Sequence, residues 1–456
     1  MKYSRRVLTT TVSCGFITGS DTWEDIVGTS TPSADQLAHW SIDGAERALQ
    51  LVEGLTDEEM IGPLLPTVNP LLWEIGHLAW FQEKFVLRQA CGHAPILQFG
   101  DALYDSGAIP HDTRWCLNLP SRQDTIKYVR TVAERVADEV AAATEYTVVG
   151  HFARYTVHHY DTHTEALTYT LQTHGHPLPT LAGLTDTGVA FPAGVTTPRD
   201  VRFSGGRFLL GGQLADPFVY DNEKWAHPVD VAPFEMAHTV VTQADFAAFV
   251  DDGGYETPHL WSDGAAWLRS TQAQAPRYWR RDDDGNWQRR HFDTWVSLEP
   301  DLPVNHVNWW EADAYCRWAG RRLPTEPEWE FAATAGGQQR TTYPWGDDLP
   351  AGDRAATDWR SPGPVSVNAC ADGDSVDGVR QLIGNVWEWT SSDFEAYPNF
   401  ERDAYFENSE QFFGSRKVLR GGAWPTRGRY LRSTIRNYFT PDRRDVIAGF
   451  RTCATR

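Results

Sequence analysis

A change of texture between Gly183 and Pro198 constrains this 456-residue chain more than any other feature of its sequence. From about residue 33 to 180, glycine is sparse and apolar side chains recur at helical offsets. Beyond the Gly/Pro/Thr-rich stretch the chain turns to short β-like runs, frequent glycine and tryptophan, and long loops such as 253–302 and 335–380. One core cannot serve both patterns. The length is also beyond that of one ordinary domain. The expected organisation is a leader over 1–32, a helical domain over 33–185 and an α+β domain over 186–456.

The first of these reads as four helices: Ala34–Glu53, Leu71–Leu87, Gln123–Ala143 and His151–Gln172. In the second, Leu72, Ile75, Leu78, Ala79 and Phe85 follow a Pro70 well placed for a first turn, and the fourth stops before Gly175 and Pro177. Four helices with a long second-to-third connection predict an antiparallel bundle, whose sites are built from inward side chains of facing helices. In the other half, Phe203 to Gly211 predicts strands around a turn, and Pro324 to Ala333 a short helix.

Charge and cysteine usage exclude several functions. With 61 acidic and 41 basic residues the formal charge is −20, which repels phosphate backbones and anionic lipid. No nucleic-acid partner is expected, and no apolar run is long enough for a membrane span. Six scattered cysteines without a C-x-x-C pair rule out a disulfide scaffold and a zinc knuckle. Ser4-Arg5-Arg6-Val7-Leu8 loosely fits a twin-arginine signal, but Thr9, Thr10, Thr11 and Ser13 interrupt the apolar core such a signal needs. A disordered leader on a cytoplasmic protein is the expectation.

Six of the 15 histidines fall between His151 and His176. Within this group His159 and His163 are spaced i, i+4 and share one helix face, so both can reach a single ion. Glu165, off that line, is expected to orient the site. An arbitrary H-x-x-x-H is more often a solvated or core-satisfied pair. A third candidate, His77, sits in Trp73-Glu74-Ile75-Gly76-His77 with Trp73 and Phe81 four residues to either side, though a lone histidine on an apolar face is normally a buried core residue. Three imidazoles converging from two helices would leave metal positions open, which suits iron and oxygen chemistry better than closed structural zinc.

The segment W-E-x-G-H-x-x-W-F-Q-E around His77, followed by His159-x-x-x-His163-x-Glu165, resembles the DinB-like domain of the non-haem iron sulfoxide synthases of ergothioneine biosynthesis. The second half is similar to the C-type-lectin-like, formylglycine-generating-enzyme-like fold joined to that bundle in this family. Its marks are Arg321 to Glu330, Gly384-Asn385-Val386-Trp387-Glu388-Trp389, Arg420-Gly421-Gly422-Ala423-Trp424 and Gly449-Phe450-Arg451. The glycines and tryptophans of these motifs are foremost structural: they establish a fold, not a chemistry. Formylglycine generators use a cysteine pair near the C-terminus, where this chain has Cys453 alone, so that activity is not expected.

The resemblance implies an Fe(II)- and dioxygen-dependent coupling of a sulfur donor to the imidazole C2 of Nα-trimethylhistidine (hercynine), with His77, His159 and His163 as iron ligands. It implies that Tyr405 donates a proton during dioxygen reduction, as a neutral phenol can. Asn437 would hold the hercynine carboxylate, Tyr438 would pack on its trimethylammonium group, and Arg443 and Arg114 would grip donor carboxylates. Structural alternatives stand beside these roles: a packing tyrosine for Tyr405 and ion-pair partners for the two arginines.

Two positions depart from the family. Phe439 replaces an aspartate that pairs with the amino group of γ-glutamylcysteine, and Thr162 replaces a glutamine that bonds the imidazole substrate. A thiol donor other than γ-glutamylcysteine is therefore expected. Selenoneine synthases, relatives that couple a selenosugar to hercynine, are the alternative. Outside this chemistry stand a non-catalytic small-molecule-binding protein with a structural metal and a dioxygen-independent thiol transferase of DinB type.

Overall fold

The computed structural model describes residues 31–143, 148–181, 191, 198–338, 341–350, 353–405 and 408–455. The expected leader, apart from its last two residues, and most of the Gly183–Pro198 stretch lie outside them. The first part of the chain forms α1 (Ala34–Val52), α2 (Asp57–Ile61), α3 (Leu71–Gln82), α4 (Gly100–Tyr104), α5 (Arg122–Ala142) and α6 (Val148–His174). Helix α1 lies against α5 and α6, and α3 packs on the same two helices, which gives the four-helix bundle. Ser33 and Ser121 start α1 and α5 by accepting from Gln36 N–H and Asp124 N–H, satisfying donors that a helix start leaves free. All twelve residues of α3 are buried, so this helix is the bundle's interior strut.

The predicted second helix is not uniform. Its α-helical part ends at Gln82, and Glu83–Ala90 continues as a π-helix. Tyr128 Oη and Ile96 N–H both donate to the buried carboxylate of Glu83, the first π-helical residue. A wider turn with an acid at its start is a local structure that 3.6-residue periodicity cannot anticipate.

The second part contains β1 (Asp200–Phe203), β2 (Gly206–Leu210), β3 (His227–Val231), β4 (Phe234–Ala237), α7 (Gln243–Asp251), α8 (Ala265–Thr271), β5 (Trp279–Arg281), β6 (Trp287–His291), β7 (Thr294–Ser297), α9 (Trp309–Trp318), β8 (Arg321–Arg322), α10 (Glu326–Ala333), β9 (Trp387–Asp393), β10 (Lys417–Arg420), β11 (Asn437–Phe439), β12 (Ala448–Gly449) and β13 (Cys453–Ala454). These form two four-stranded sheets, ordered β1-β4-β13-β8 and β11-β10-β9-β12, with a β2-β3 hairpin and a β5-β6-β7 meander. The expected strands around Ser204-Gly205 exist but do not pair with each other: β1 joins β4 and β2 joins β3. The segment 253–302, expected as a loop, carries α8 and the meander. Trp279, Phe246, Tyr315 and Phe450 pack ring to ring where the meander meets the domain core, so aromatic contact organises a stretch with little periodicity.

Paired charges close the second part onto the bundle. Arg429 holds Asp161 of α6 through Nη2 at 2.7 Å and Asp43 of α1 through Nη1 at 2.8 Å, and Arg427 also pairs with Asp43. Each of these carboxylates would be costly to bury unpaired. Cys91, Cys116, Cys316, Cys370 and Cys453 are free thiols. Among the described residues no helix is long and apolar enough to cross a membrane.

Candidate metal centre

His77 of α3 and His159 and His163 of α6 meet in the bundle, with one ligand atom of each within 4.8 Å of the others. Ring centroids are 5.1 Å apart for His77–His159, 5.2 Å for His77–His163 and 4.4 Å for His159–His163. The i, i+4 spacing stacks the α6 pair on one face, and α3 supplies the third ring from the helix opposite.

Neighbouring groups fix two of the rings. His77 Nδ1 lies 2.8 Å from the Tyr104 carbonyl oxygen, so Nδ1–H donates there and Nε2 keeps its lone pair. Gly76 makes this approach feasible: a Cβ at that position would stand 2.4 Å from the Tyr104 ring. His163 Nδ1 lies 2.5 Å from Glu74 Oε1. The other oxygen of Glu74 accepts from Asn69 Nδ2 at 2.6 Å, and Asn69 Oδ1 accepts from Arg114 Nη1 at 2.7 Å. Arg114, Asn69, Glu74 and His163 thus form one chain of hydrogen bonds.

His159 stacks on Phe81 with centroids 3.6 Å apart, and its Nδ1 is buried with no hydrogen-bond partner among the described residues. An unpartnered buried imidazole nitrogen is costly, and an ion drawn to this ring would offset the cost. Burial, then the nearby His163, push the His77 imidazolium down to about 3, while burial and the other two imidazoles hold His159 well below its usual value. Both rings are neutral near pH 7, the state a metal ligand requires. Three imidazoles, two with oriented outer nitrogens, fit a divalent metal with open positions.

Beside His163 lies a cavity of about 180 Å³. Thr162, His163, Glu165 and Tyr169 of α6 form one wall, and Trp387, Tyr430, Asn437 and Phe439 form the other. Glu165 does not orient the histidines, contrary to the sequence expectation. Two residues beyond His163 it points about 200° around the helix, where it accepts from Trp387 Nε1 at 2.7 Å and from Thr426 Oγ1. The orienting acid is Glu74, which sequence reasoning missed. Its signal was a carboxylate on an otherwise apolar helix. Burial, against the bonds from Thr426 and Trp387, raises Glu165 to about 7.

The remaining candidates divide. Asn437 and Phe439 face the cavity, but Tyr438 between them does not: successive residues of β11 point to opposite sides. Its ring stacks on Phe394 at 3.9 Å and its hydroxyl donates to the Asn408 carbonyl, so Tyr438 is a packing residue on the far face. Thr162 Oγ1 donates back to the His159 carbonyl at 2.9 Å, which leaves only its lone pairs to the cavity. Tyr405 stands edge-on to Phe81, centroids 5.1 Å apart, on the ring that backs His159, with its hydroxyl 2.5 Å from Ser106 Oγ.

Arg114 lies 4.1 Å above the Trp73 ring and bonds the carbonyls of Ser106 and Ile109, each at 3.3 Å. Among the described residues it has no ion-pair partner. Arg443 is committed differently, paired through Nε and Nη2 with the buried Asp445, both at 2.7 Å, with its guanidinium 4.8 Å above the Phe439 ring.

Comparison with known proteins bears on both parts of the chain. Residues 43–174 match the DinB superfamily model, and residues 187–456 match that of the sulfatase-modifying factor enzyme 1-like domain. A hercynine oxygenase of Mycolicibacterium thermoresistibile is 36% identical over 442 residues, covering 93% of this chain and 96% of its own length. A hercynine oxygenase of Mycobacterium tuberculosis is 35% identical over 431 residues, 92% of this chain and 98% of its own. A formylglycine-generating enzyme of Streptomyces coelicolor is 33% identical over 286 residues, 57% of this chain and 90% of its own.

Proposed function

We propose, because the chain belongs to the DinB and formylglycine-generating-enzyme-like ergothioneine sulfoxide synthase family, that this oxidoreductase couples a sulfur donor to the imidazole C2 of hercynine at the three-histidine centre. The observation that carries this reading is the junction itself: three converging imidazoles adjoin a cavity whose walls come from both domains. Bound Fe(II) would supply dioxygen activation and a seat for the donor thiolate.

The chain's own residues supply the rest. Tyr169, Trp387, Tyr430 and Phe439 present aromatic surface, and Glu165 presents a carboxyl, to a substrate whose quaternary ammonium cannot hydrogen-bond. These groups take the role that the family resemblance implies for Tyr438. Asn437 offers an amide to the hercynine carboxylate. Tyr405, with Ser106 fixing its hydroxyl, is the proton donor behind Phe81.

A second reading, selenoneine synthase, is favoured by the donor side. Phe439 gives no countercharge to an ammonium, and Arg443 is already balanced by Asp445. Of the two arginines, Arg114 alone retains a positive charge without an ion-pair partner among the described residues. A neutral sugar or a small thiol suits that arrangement better than γ-glutamylcysteine. The test is aerobic incubation of the iron-loaded protein with hercynine and, separately, γ-glutamylcysteine, cysteine and a selenosugar, following dioxygen uptake and product mass. Hercynine-dependent uptake with a coupled product is expected from one donor. No uptake with any of them would leave a binding protein with a structural metal, and turnover without dioxygen would point to a thiol transferase.

A further inference from the structure

A second group of metal-binding side chains lies at the other end of the segment that follows α3. Cys91 directly follows the π-helix, His93 is two residues later, and Glu139 comes from the C-terminal part of α5. One ligand atom of each lies within 4.8 Å of the others, and His93 Nε2 is 2.7 Å from Glu139 Oε1. The backbone is built to present the first two together. Cys91 N–H donates to the Val86 carbonyl at 3.0 Å and His93 N–H to the Leu87 carbonyl at 2.9 Å. Gly92 between them has φ +76°, and a Cβ there would meet nothing within 4 Å, so its left-handed turn, not lack of space, is what glycine provides.

We propose that Cys91, His93 and Glu139 form a second metal site, selective for zinc and separate in chemistry from the three-histidine centre. A thiolate, an imidazole and a carboxylate are the three ligand types zinc accepts, and three protein ligands leave its fourth position to water. Tetrahedral bonds of roughly 2.0–2.3 Å place ligand atoms roughly 3.3–3.8 Å apart. That range falls between the 2.7 Å of the His93–Glu139 contact and the 4.8 Å limit of the group, so side-chain rotation alone can meet it. A divalent ion would displace the Cys91 proton, and the resulting thiolate and the Glu139 carboxylate would together balance its two positive charges. The side chains of His93 and Glu139 are 47% and 36% exposed, so the ion can enter from solvent. Bound zinc would pin the end of the π-helix to α5. Soft thiolate chemistry also sets the site apart from the all-imidazole centre.

Cobalt(II) is the probe, because only a thiolate ligand gives it an intense near-ultraviolet charge-transfer band. Iron-loaded full-length protein titrated anaerobically with cobalt(II) should develop this band, and zinc should displace it. Cys91→Ser should abolish the band, Glu139→Gln should weaken cobalt binding at least about tenfold, and His77→Ala should leave it intact. A wild-type protein that never shows the band, or a band that survives Cys91→Ser, overturns the proposal. Glu139→Gln alters a partly exposed side chain and keeps the test decisive even if Cys91→Ser misfolds, since unchanged cobalt affinity in that variant also counts against the site.

Discussion

Replacing Glu74 by glutamine removes one charge and changes no volume, yet it should disable the three-histidine centre. Glu74 Oε1 accepts from His163 and Oε2 from Asn69 Nδ2, while Asn69 Oδ1 accepts from Arg114. An amide cannot accept at both positions. If its oxygen stays with His163, its NH2 group faces the NH2 of Asn69. Flipping Asn69 to cure that clash turns the Asn69 NH2 onto the Arg114 guanidinium. Every arrangement either opposes one donor with another in a buried site or moves the His163 proton to Nε2 and so takes that lone pair from the metal. A hydrogen bond to a charged partner contributes about 1.5–3 kcal/mol, and at about 1.4 kcal/mol per tenfold this corresponds to roughly 10–100-fold weaker metal binding. Competition with a calibrated chelator measures it. Glu165→Gln is the control: its partners, Trp387 and Thr426, can be satisfied by an amide, and it touches no histidine. Metal affinity should fall in Glu74→Gln and hold within about threefold in Glu165→Gln, well short of the loss of an orienting partner. Equal affinities in wild type and Glu74→Gln would refute the claim that this carboxylate sets the His163 ring.

Gly76→Ala drives a methyl to within 2.4 Å of the Tyr104 ring; it should cost about 1–3 kcal/mol in urea unfolding and weaken metal binding by displacing the His77 acceptor, and normal values of both would dismiss the close-approach argument. Tyr430→Leu should raise the KM for hercynine roughly tenfold by removing part of the aromatic cage, whereas Tyr438→Leu should lower stability and leave that KM alone; the reverse pattern would restore Tyr438 to the pocket. Tyr405→Phe should divert turnover from the coupled sulfoxide towards simple thiol oxidation, read as a product ratio, and an unchanged ratio removes the phenol from the mechanism. Phe439→Asp should improve kcat/KM for γ-glutamylcysteine relative to other donors by about tenfold or more, the worth of one charge-assisted bond; Phe439→Asn separates charge from polarity, and equal gains in both variants would count against an ammonium partner.

How much of this was legible depended on whether a feature repeats locally. Helices α1, α5 and α6 lie within a few residues of their expected spans, because an apolar stripe every 3.6 residues is written in the sequence itself. His159 and His163 were legible for the same reason, since i, i+4 fixes a shared face. The π-helix after Gln82 was not: 3.6-residue periodicity carries no sign of a wider turn, and the Tyr128 contact to Glu83 at its start is a tertiary one. Strands β1 and β2 were visible as runs but not as partners, because β4 and β3 determine their pairing.

Glu165 and Tyr438 depart from their expected places for one physical cause. Glu165 lies two residues from His163, and the family resemblance implies a substrate contact for Tyr438, but the angular period of the local structure decides where a side chain points. Two residues along a helix is about 200°, and one along a strand is about 180°. Glu165 therefore reaches Trp387 and Thr426 of the other domain, and not the histidines, while still lining the cavity, and Tyr438 packs on Phe394. Glu74 reverses the case. Eighty-nine positions separate it from His163, and only the antiparallel packing of α3 on α6 makes them partners. A motif can thus specify which residues a centre uses, while the phase of each element determines which of them face it.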